Sequence, residues 1–240
     1  PERANAVHML HFPNEMEDAE LARRRLALDE FIELQRGVIA RRRKFEAQAS
    51  GLPCGGGNHL IKPFLARLGF KLTDAQTRVL REVREDLRGA HPMRRLLQGD
   101  VGSGKTAVAA CAALMTLESG FSVALMAPTE ILAEQHFQNF KRWLEPLGVD
   151  VQLRTGNFKT SEDALGVAVS TGTRAAENGT RKTEHASLTI GTHALLTSGF
   201  DIPNLGLVIV DEQHKFGTAQ REALVRKGRY PHLLVMTATP

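Results

Sequence analysis

The sequence predicts a three-layer α/β domain with a mostly parallel sheet, preceded by one long N-terminal helix. Two observations carry this prediction. Short apolar runs that read as strands alternate with longer runs that read as helices, which is the pattern of βαβ units covering both faces of a parallel sheet. Between one such strand and one such helix stands Gly99-Asp100-Val101-Gly102-Ser103-Gly104-Lys105-Thr106, which meets G-x-x-x-x-G-K-[ST] at every fixed position. The domain is therefore of the phosphate-loop (P-loop, Walker A) type.

Taken in order, Asp18 to about Gln48 is one charged amphipathic helix, with Leu21, Leu28, Phe31, Ile32, Leu34, Val38 and Ile39 near helical spacing. Its run Arg41-Arg42-Arg43-Lys44 is open to two readings, a nucleic-acid contact and a solvated face, of which the solvated face is the commoner for a charge run on a helix. Ser50-Gly51-Leu52-Pro53-Cys54-Gly55-Gly56-Gly57 has the composition of a linker, which divides a helical segment (1–57) from the main domain (58–240). A helix from Thr73 to Leu87 follows, its stripe made by Val79, Leu80, Val83 and Leu87. Arg95 to Gln98 is the strand feeding the loop, and a helix of small residues runs from the loop to Leu117. Then come a strand Val123 to Ala127, a helix Ile131 to Leu144 and a strand Val151 to Leu153. Later strands are Leu188 to Thr192, Leu207 to Val210 and Leu233 to Met236. Between Gly156 and Ala186 the pattern gives way to polar and charged residues, so 157–187 reads as a surface insertion.

Composition narrows the function classes. With 240 residues and 42% hydrophobic content the chain can build a proper core, which excludes dominant disorder. A net charge of +4 suits a polyanionic partner without requiring one. Two cysteines, Cys54 and Cys111, make neither a disulfide framework nor a metal-ligand spacing. The apolar runs fall short of the roughly 20 residues a membrane helix needs, and no signal segment is visible, so a soluble, cytoplasmic protein is expected. A start at Pro1 and an end at Pro240, directly after a strand-like run, suggest a piece of something larger.

The loop's chemistry follows from its residue types. Glycines let successive backbone N–H groups turn toward one anion, and the next helix adds the positive end of its dipole. Gly99, Asp100, Val101, Gly102, Ser103 and Gly104 would cradle the phosphates of ATP, Lys105 would reach the β- and γ-phosphates, and Thr106 would hold Mg²⁺ through its hydroxyl. Such a loop needs an acidic partner on a neighbouring strand. Leu207-Val208-Ile209-Val210-Asp211-Glu212-Gln213-His214 supplies it, with Asp211 expected near Thr106 as a Mg²⁺ contact and Glu212 as general base for the attacking water.

The loop, the Asp-Glu-x-His tetrad, Ala127-Pro128-Thr129 and Thr237-Ala238-Thr239 occur in the order and spacing of the first RecA-like lobe of superfamily-two helicases, which this chain resembles. Four stretches narrow the resemblance to the bacterial helicases that migrate DNA branches. They are Leu97 to Thr106, Ala127 to His136, Gly191-Thr192-His193-Ala194-Leu195, and Val210 to Gly217. The resemblance covers most of residues 7 to 240, except the insertion, which is longer and differently composed than the family pattern.

The resemblance implies an ATP-dependent DNA helicase lobe, an ATP hydrolase acting in the bacterial cytoplasm on nucleoid DNA in recombination and repair. Its partners would be branched, duplex and single-stranded DNA, and a second lobe of the same parent chain; neither that lobe nor the family's wedge domain is expected within residues 1–240, unless residues 1–50 are the tail of the wedge domain, and a monomer is expected. It assigns adenine reading to Gln76, although Thr73-x-x-Gln76 is also a helix capping box. Gln213 and His214 would sense the γ-phosphate together with Thr237 and Thr239, which relay its loss. Thr129, Glu130, Thr192, His193, Phe216 and Arg221 become candidate DNA contacts. Other readings stay open: the translocase lobe of the transcription–repair coupling factor, a nucleotide-switched binding module, and a small-molecule kinase.

Overall fold

The computed structural model of the chain describes residues 1–156, 186–197, 200–212 and 217–238, apart from the side chains of Thr218 and Arg221. Expectations placed on 157–185, Gln213, His214, Phe216 and Thr239 therefore lie outside the described residues. The chain divides into two compact units, Pro1–Ala49 and Ser50–Pro240.

The first unit is a helical hairpin of α1 (Arg3–His11) and α2 (Met16–Gln48). α2 is the expected long helix, begun by a cap in which the Asp18 carboxylate accepts from the backbone N–H groups of Asn14 and Glu15 at 3.2 and 3.4 Å. Ala6 and Ala22 are fully buried, so α1 and α2 meet through small residues. α1 was not expected, because its nine residues carry no clear apolar stripe. The apolar stripe of α2 stays largely exposed within this unit, Phe31 and Leu34 at 58% and 60%.

Among the described residues, the strands of the second unit form a single sheet of six. They are β1 (Arg94–Gln98), β2 (Ser122–Met126), β3 (Val151–Arg154), β4 (Leu188–Gly191), β5 (Leu205–Asp211) and β6 (His232–Thr237). Every pairing is parallel and the order is β1-β6-β5-β2-β4-β3, so all the strands end on one edge. The helices are α3 (Ile61–Arg67), α4 (Asp74–Leu87), α5 (Lys105–Glu118), α6 (Glu130–Leu144) and α7 (Thr218–Val225). This is the expected three-layer architecture, with α3 and α7 added.

The reasons are local. In α5 every residue from Ala107 to Leu117 is buried, and its five alanines let the helix lie close against the sheet and its neighbours. α4 presents Leu80, Val83 and Leu87 to the core, the stripe its periodicity predicts. β5 is buried along Leu205–Val210, which requires a continuous apolar run instead of alternation. Both cysteines are buried; burial pushes the thiols of Cys54 and Cys111 up to about 12, so each serves as a small apolar packing residue.

The glycine-rich stretch after Ala49 is not loose. Gly51 and Cys54 donate to the carbonyls of Ala90 and Leu87 at 2.8 and 3.0 Å. The Glu118 carboxylate accepts from the backbone N–H groups of Gly57 (2.6 Å), Asn58 (2.8 Å), Leu60 and Ile61 (3.2 Å), which caps the start of α3 from the far end of α5. A Cβ at Gly56 would meet the Met115 backbone at 2.9 Å, so only glycine allows this approach.

Candidate nucleotide-binding site

The loop joins β1 to α5 with Gly102 and Gly104 at φ +80° and +81°, the left-handed backbone that glycine adopts freely. Gly104 is the N-cap of α5 and offers no side-chain oxygen to the first turn. α4 and α6, by contrast, begin on Thr73 and Thr129, whose hydroxyls accept from Gln76 and Leu132. A long buried helix thus begins without a capping side chain, its N-terminal amides left for an anion. The Lys105 ammonium donates to the carbonyls of Gly99 (2.6 Å) and Asp100 (2.8 Å), which holds it over the mouth of the loop.

Gln76 braces the loop from α4. Its Oε1 accepts from the Thr73 N–H at 2.9 Å and its Nε2 donates to the Ser103 carbonyl at 2.8 Å. The capping box is therefore formed, and the same amide touches the phosphate loop. One lone pair and one N–H of that amide stay available beyond these two bonds. A Cβ at Gly104 would collide with Nε2, so the glycine and the glutamine are matched. A cavity of about 480 Å³ beside α4 is lined by Phe70, Leu72, Thr77 and Leu80 among others, and no loop residue contributes to it.

Sheet order brings the acidic residues to the same edge. β6 lies between β1 and β5, with Gln98 opposite Thr237 and Asp211 opposite Met236. The Gly99 N–H donates to the Thr237 carbonyl at 3.3 Å, which ties the loop's first residue to the strand between it and Asp211. Thr237 is itself buried at 6% exposure. Glu212 follows at φ +52°, a left-handed conformation that costs a non-glycine residue about 1 kcal/mol. Strain of this kind gathers at functional positions.

One partner was not foreseen. His136, in the middle of α6, makes a 2.7 Å hydrogen bond from Nε2 to Asp211 Oδ2, the two side chains being 10% and 14% exposed. Its sequence signal was only membership of the Ala127 to His136 stretch. Among the described residues no group of three His, Cys, Asp or Glu side chains could hold a metal. A hydroxyl and a carboxylate are nonetheless the hard oxygen donors Mg²⁺ prefers when phosphates complete its shell, and Thr106 and Asp211 fit that donor set.

The remaining candidates spread along the same edge. Thr129 is exposed, its hydroxyl accepting from Leu132 at 3.3 Å, and the Glu130 carboxylate accepts from the Gly156 N–H at 3.0 Å. His193 is exposed, whereas Thr192 is 2% exposed with a buried hydroxyl that has no partner among the described residues. Arg221 lies on α7.

The DEAD/DEAH box helicase model matches residues 73–240. Among curated proteins, the ATP-dependent DNA helicase RecG of Synechocystis sp. is 44% identical over 98% of this chain and 27% of its own length. RecG of Escherichia coli O157:H7 is 43% identical over 98% of this chain and 34% of its own. The chain thus spans about a third or less of the length of these relatives. The solved structure of RecG bound to a three-way DNA junction superposes with a TM-score of 0.78 at 39% identity, covering 98% of this chain and 30% of that one. A yeast Dbp5 structure, at a TM-score of 0.55 and 18% identity over 77% of this chain and 47% of its own, shares the fold. By its motifs, its sheet order and the match over residues 73–240, the chain belongs to the DEAD/DEAH box helicase family.

Proposed function

We propose that this chain is the ATP-binding motor lobe of an ATP-dependent DNA helicase that acts on branched DNA in the bacterial cytoplasm. The observation that carries the reading is the placement of the phosphate loop and the Asp211–Glu212 pair on one sheet edge, separated only by the strand that ends in Thr237. In sheets of this kind ligands bind at the carboxyl ends of the strands. Similarity to a RecG structure bound to a three-way junction supports DNA as the partner.

In this reading the loop amides and Lys105 hold the phosphates of ATP, with Lys105 exchanging the carbonyls of Gly99 and Asp100 for phosphate oxygens. Thr106 and Asp211 are the residues that would hold Mg²⁺, which when bound neutralises charge on the β- and γ-phosphates. Glu212 takes the proton of the attacking water. Gln76 reads adenine with the donor and acceptor capacity its two present bonds leave free. Gln213, His214, Thr237 and Thr239 report the γ-phosphate to the DNA-facing loops, where the exposed Thr129 and His193 stand at the starts of their helical turns. A second lobe of the parent chain contributes an arginine to the transition state, a group worth about 10³ to 10⁵ in rate. Alone, the lobe binds Mg·ATP weakly and turns it over slowly, as a monomer.

The test is a titration with a fluorescent ATP analogue. Lys105→Ala should abolish binding, and Glu212→Gln should keep binding while losing turnover. Equal affinity in Lys105→Ala and the parent would sink the reading of the loop. Robust DNA-stimulated hydrolysis by this chain alone would sink the two-lobe requirement.

A further inference from the structure

We infer that His136 is a positioning residue for the metal site: by holding Oδ2 of Asp211 it fixes the carboxylate, so that Oδ1 is presented for Mg²⁺. The inference rests on the reading of Asp211 as a Mg²⁺ contact and goes beyond it by naming what sets that contact. Asp211 is the last residue of β5 and is followed by the left-handed residue Glu212, so its side chain stands where the regular strand ends. A carboxylate there would rotate about χ1 and χ2 unless something held it. His136 Nε2 does so at 2.7 Å.

The imidazole is itself held. It is 8% exposed, and its edge meets the ring of the fully buried Phe140 one turn on, with centroids 6.3 Å apart and planes at 71°. This is the edge-to-face arrangement aromatic rings favour, and it limits the rotation of the imidazole. As Nε2 faces a carboxylate oxygen, it is the donor, which places a proton on that nitrogen. α6 also begins at Thr129 and Glu130, on the edge where a DNA phosphate would bind. A single rigid helix therefore carries both that end and the residue that aims Asp211, about 10 Å apart at 1.5 Å per residue. Partners of this kind, one bond removed from a metal, commonly change metal affinity or activity by about 10- to 100-fold.

The experiment uses three variants of the chain: His136→Ala, His136→Asn and His136→Gln. The Gln amide nitrogen falls near the position of Nε2 and can donate to Asp211, whereas the shorter Asn cannot reach it. The readout is affinity for a fluorescent ADP analogue as Mg²⁺ is titrated, with a Mn²⁺ titration followed by electron paramagnetic resonance as an independent measure. His136→Ala and His136→Asn should raise the half-saturating Mg²⁺ and Mn²⁺ concentrations about tenfold, with Mg²⁺-free nucleotide affinity unchanged, and His136→Gln should restore them. Unchanged half-saturation in Asn, or equal weakening with and without metal, overturns the inference. A parent chain whose ADP affinity does not respond to Mg²⁺ overturns the Mg²⁺ reading of Thr106 and Asp211, and the inference with it. Loss of all nucleotide binding in Lys105→Ala alongside an intact metal response in His136→Asn separates the two failures.

Discussion

The side-chain amide of Gln76 donates to the Ser103 carbonyl at 2.8 Å while its oxygen accepts from the Thr73 N–H at 2.9 Å. One residue thus caps α4 and braces the phosphate loop, and the two duties can be separated. Gln76→Glu keeps an acceptor for the cap, since Glu serves a capping box as well as Gln does. It loses the donor to Ser103 and sets a carboxylate beside an anion site. Gln76→Glu should therefore unfold within about 1 kcal/mol of the parent but bind ATP at least tenfold more weakly. Gln76→Ala should lose both, with about 1 kcal/mol from the cap. Denaturant unfolding beside nucleotide titration distinguishes them.

Glu212 offers a trade between stability and chemistry. Its φ of +52° lies in the left-handed region, which costs about 1 kcal/mol for a side chain with a Cβ and nothing for glycine. Glu212→Gly and Glu212→Ala both remove the general base and the side chain's interactions, so comparing them isolates the strain, and the glycine variant should be at least as stable as the alanine one. A glycine variant about 1 kcal/mol less stable than the alanine one would show that the left-handed turn is not strained.

How much of this was legible in the sequence depended on range. The phosphate loop, the strand into it and the run Leu207 to Asp211 were readable because their signals are local: glycines at fixed spacing, and apolar residues without alternation in a strand buried on both faces. α3 was not, because its start is capped by Glu118 from 57 residues away, a partner that no local pattern announces. His136 looked like any polar residue on an amphipathic helix, because Asp211 lies 75 positions along the chain. The stretch Ser50 to Gly57 had the composition of a flexible connection, yet its glycines are there to let the backbone pass close to Met115 and Arg88.

Glu118 carries a prediction of its own. Its carboxylate accepts four backbone N–H groups between Gly57 and Ile61, bonds to a charged group that are each stronger than neutral ones. Glu118→Ala leaves those amides to water or to nothing. It should cost on the order of 3 kcal/mol and loosen the 57–61 turn, seen as faster amide exchange there than in α5. Glu118→Gln keeps one acceptor oxygen but sets an amide NH2 against the other pair of N–H groups, since Oε2 takes Gly57 and Asn58 and Oε1 takes Leu60 and Ile61, so it should cost about as much as Glu118→Ala.

The last prediction concerns acid. His232, fully buried, accepts the Met93 N–H at Nδ1 (2.9 Å) and sits 2.8 Å from the Leu52 carbonyl through Nε2. An accepting Nδ1 and a donating Nε2 define the neutral imidazole, and a proton added at Nδ1 would break the bond to Met93. Burial depresses the pKa below its ordinary 6.5, opposed by the Leu52 carbonyl and the charge of Asp86. Because the folded value lies below the unfolded one, the unfolded chain binds more protons as pH falls below 6.5. The contribution of His232 to stability is therefore complete above 6.5 and is lost as pH falls from there through the lowered folded value. The loss is at most about 1.4 kcal/mol per pH unit. His232→Gln, which cannot titrate, should be less stable than the parent near neutral pH, and the gap should close as pH falls from about 7.5 to about 5.5. Denaturant midpoints at several pH values measure this, and a gap that stays constant would mean His232 does not charge in the unfolding transition.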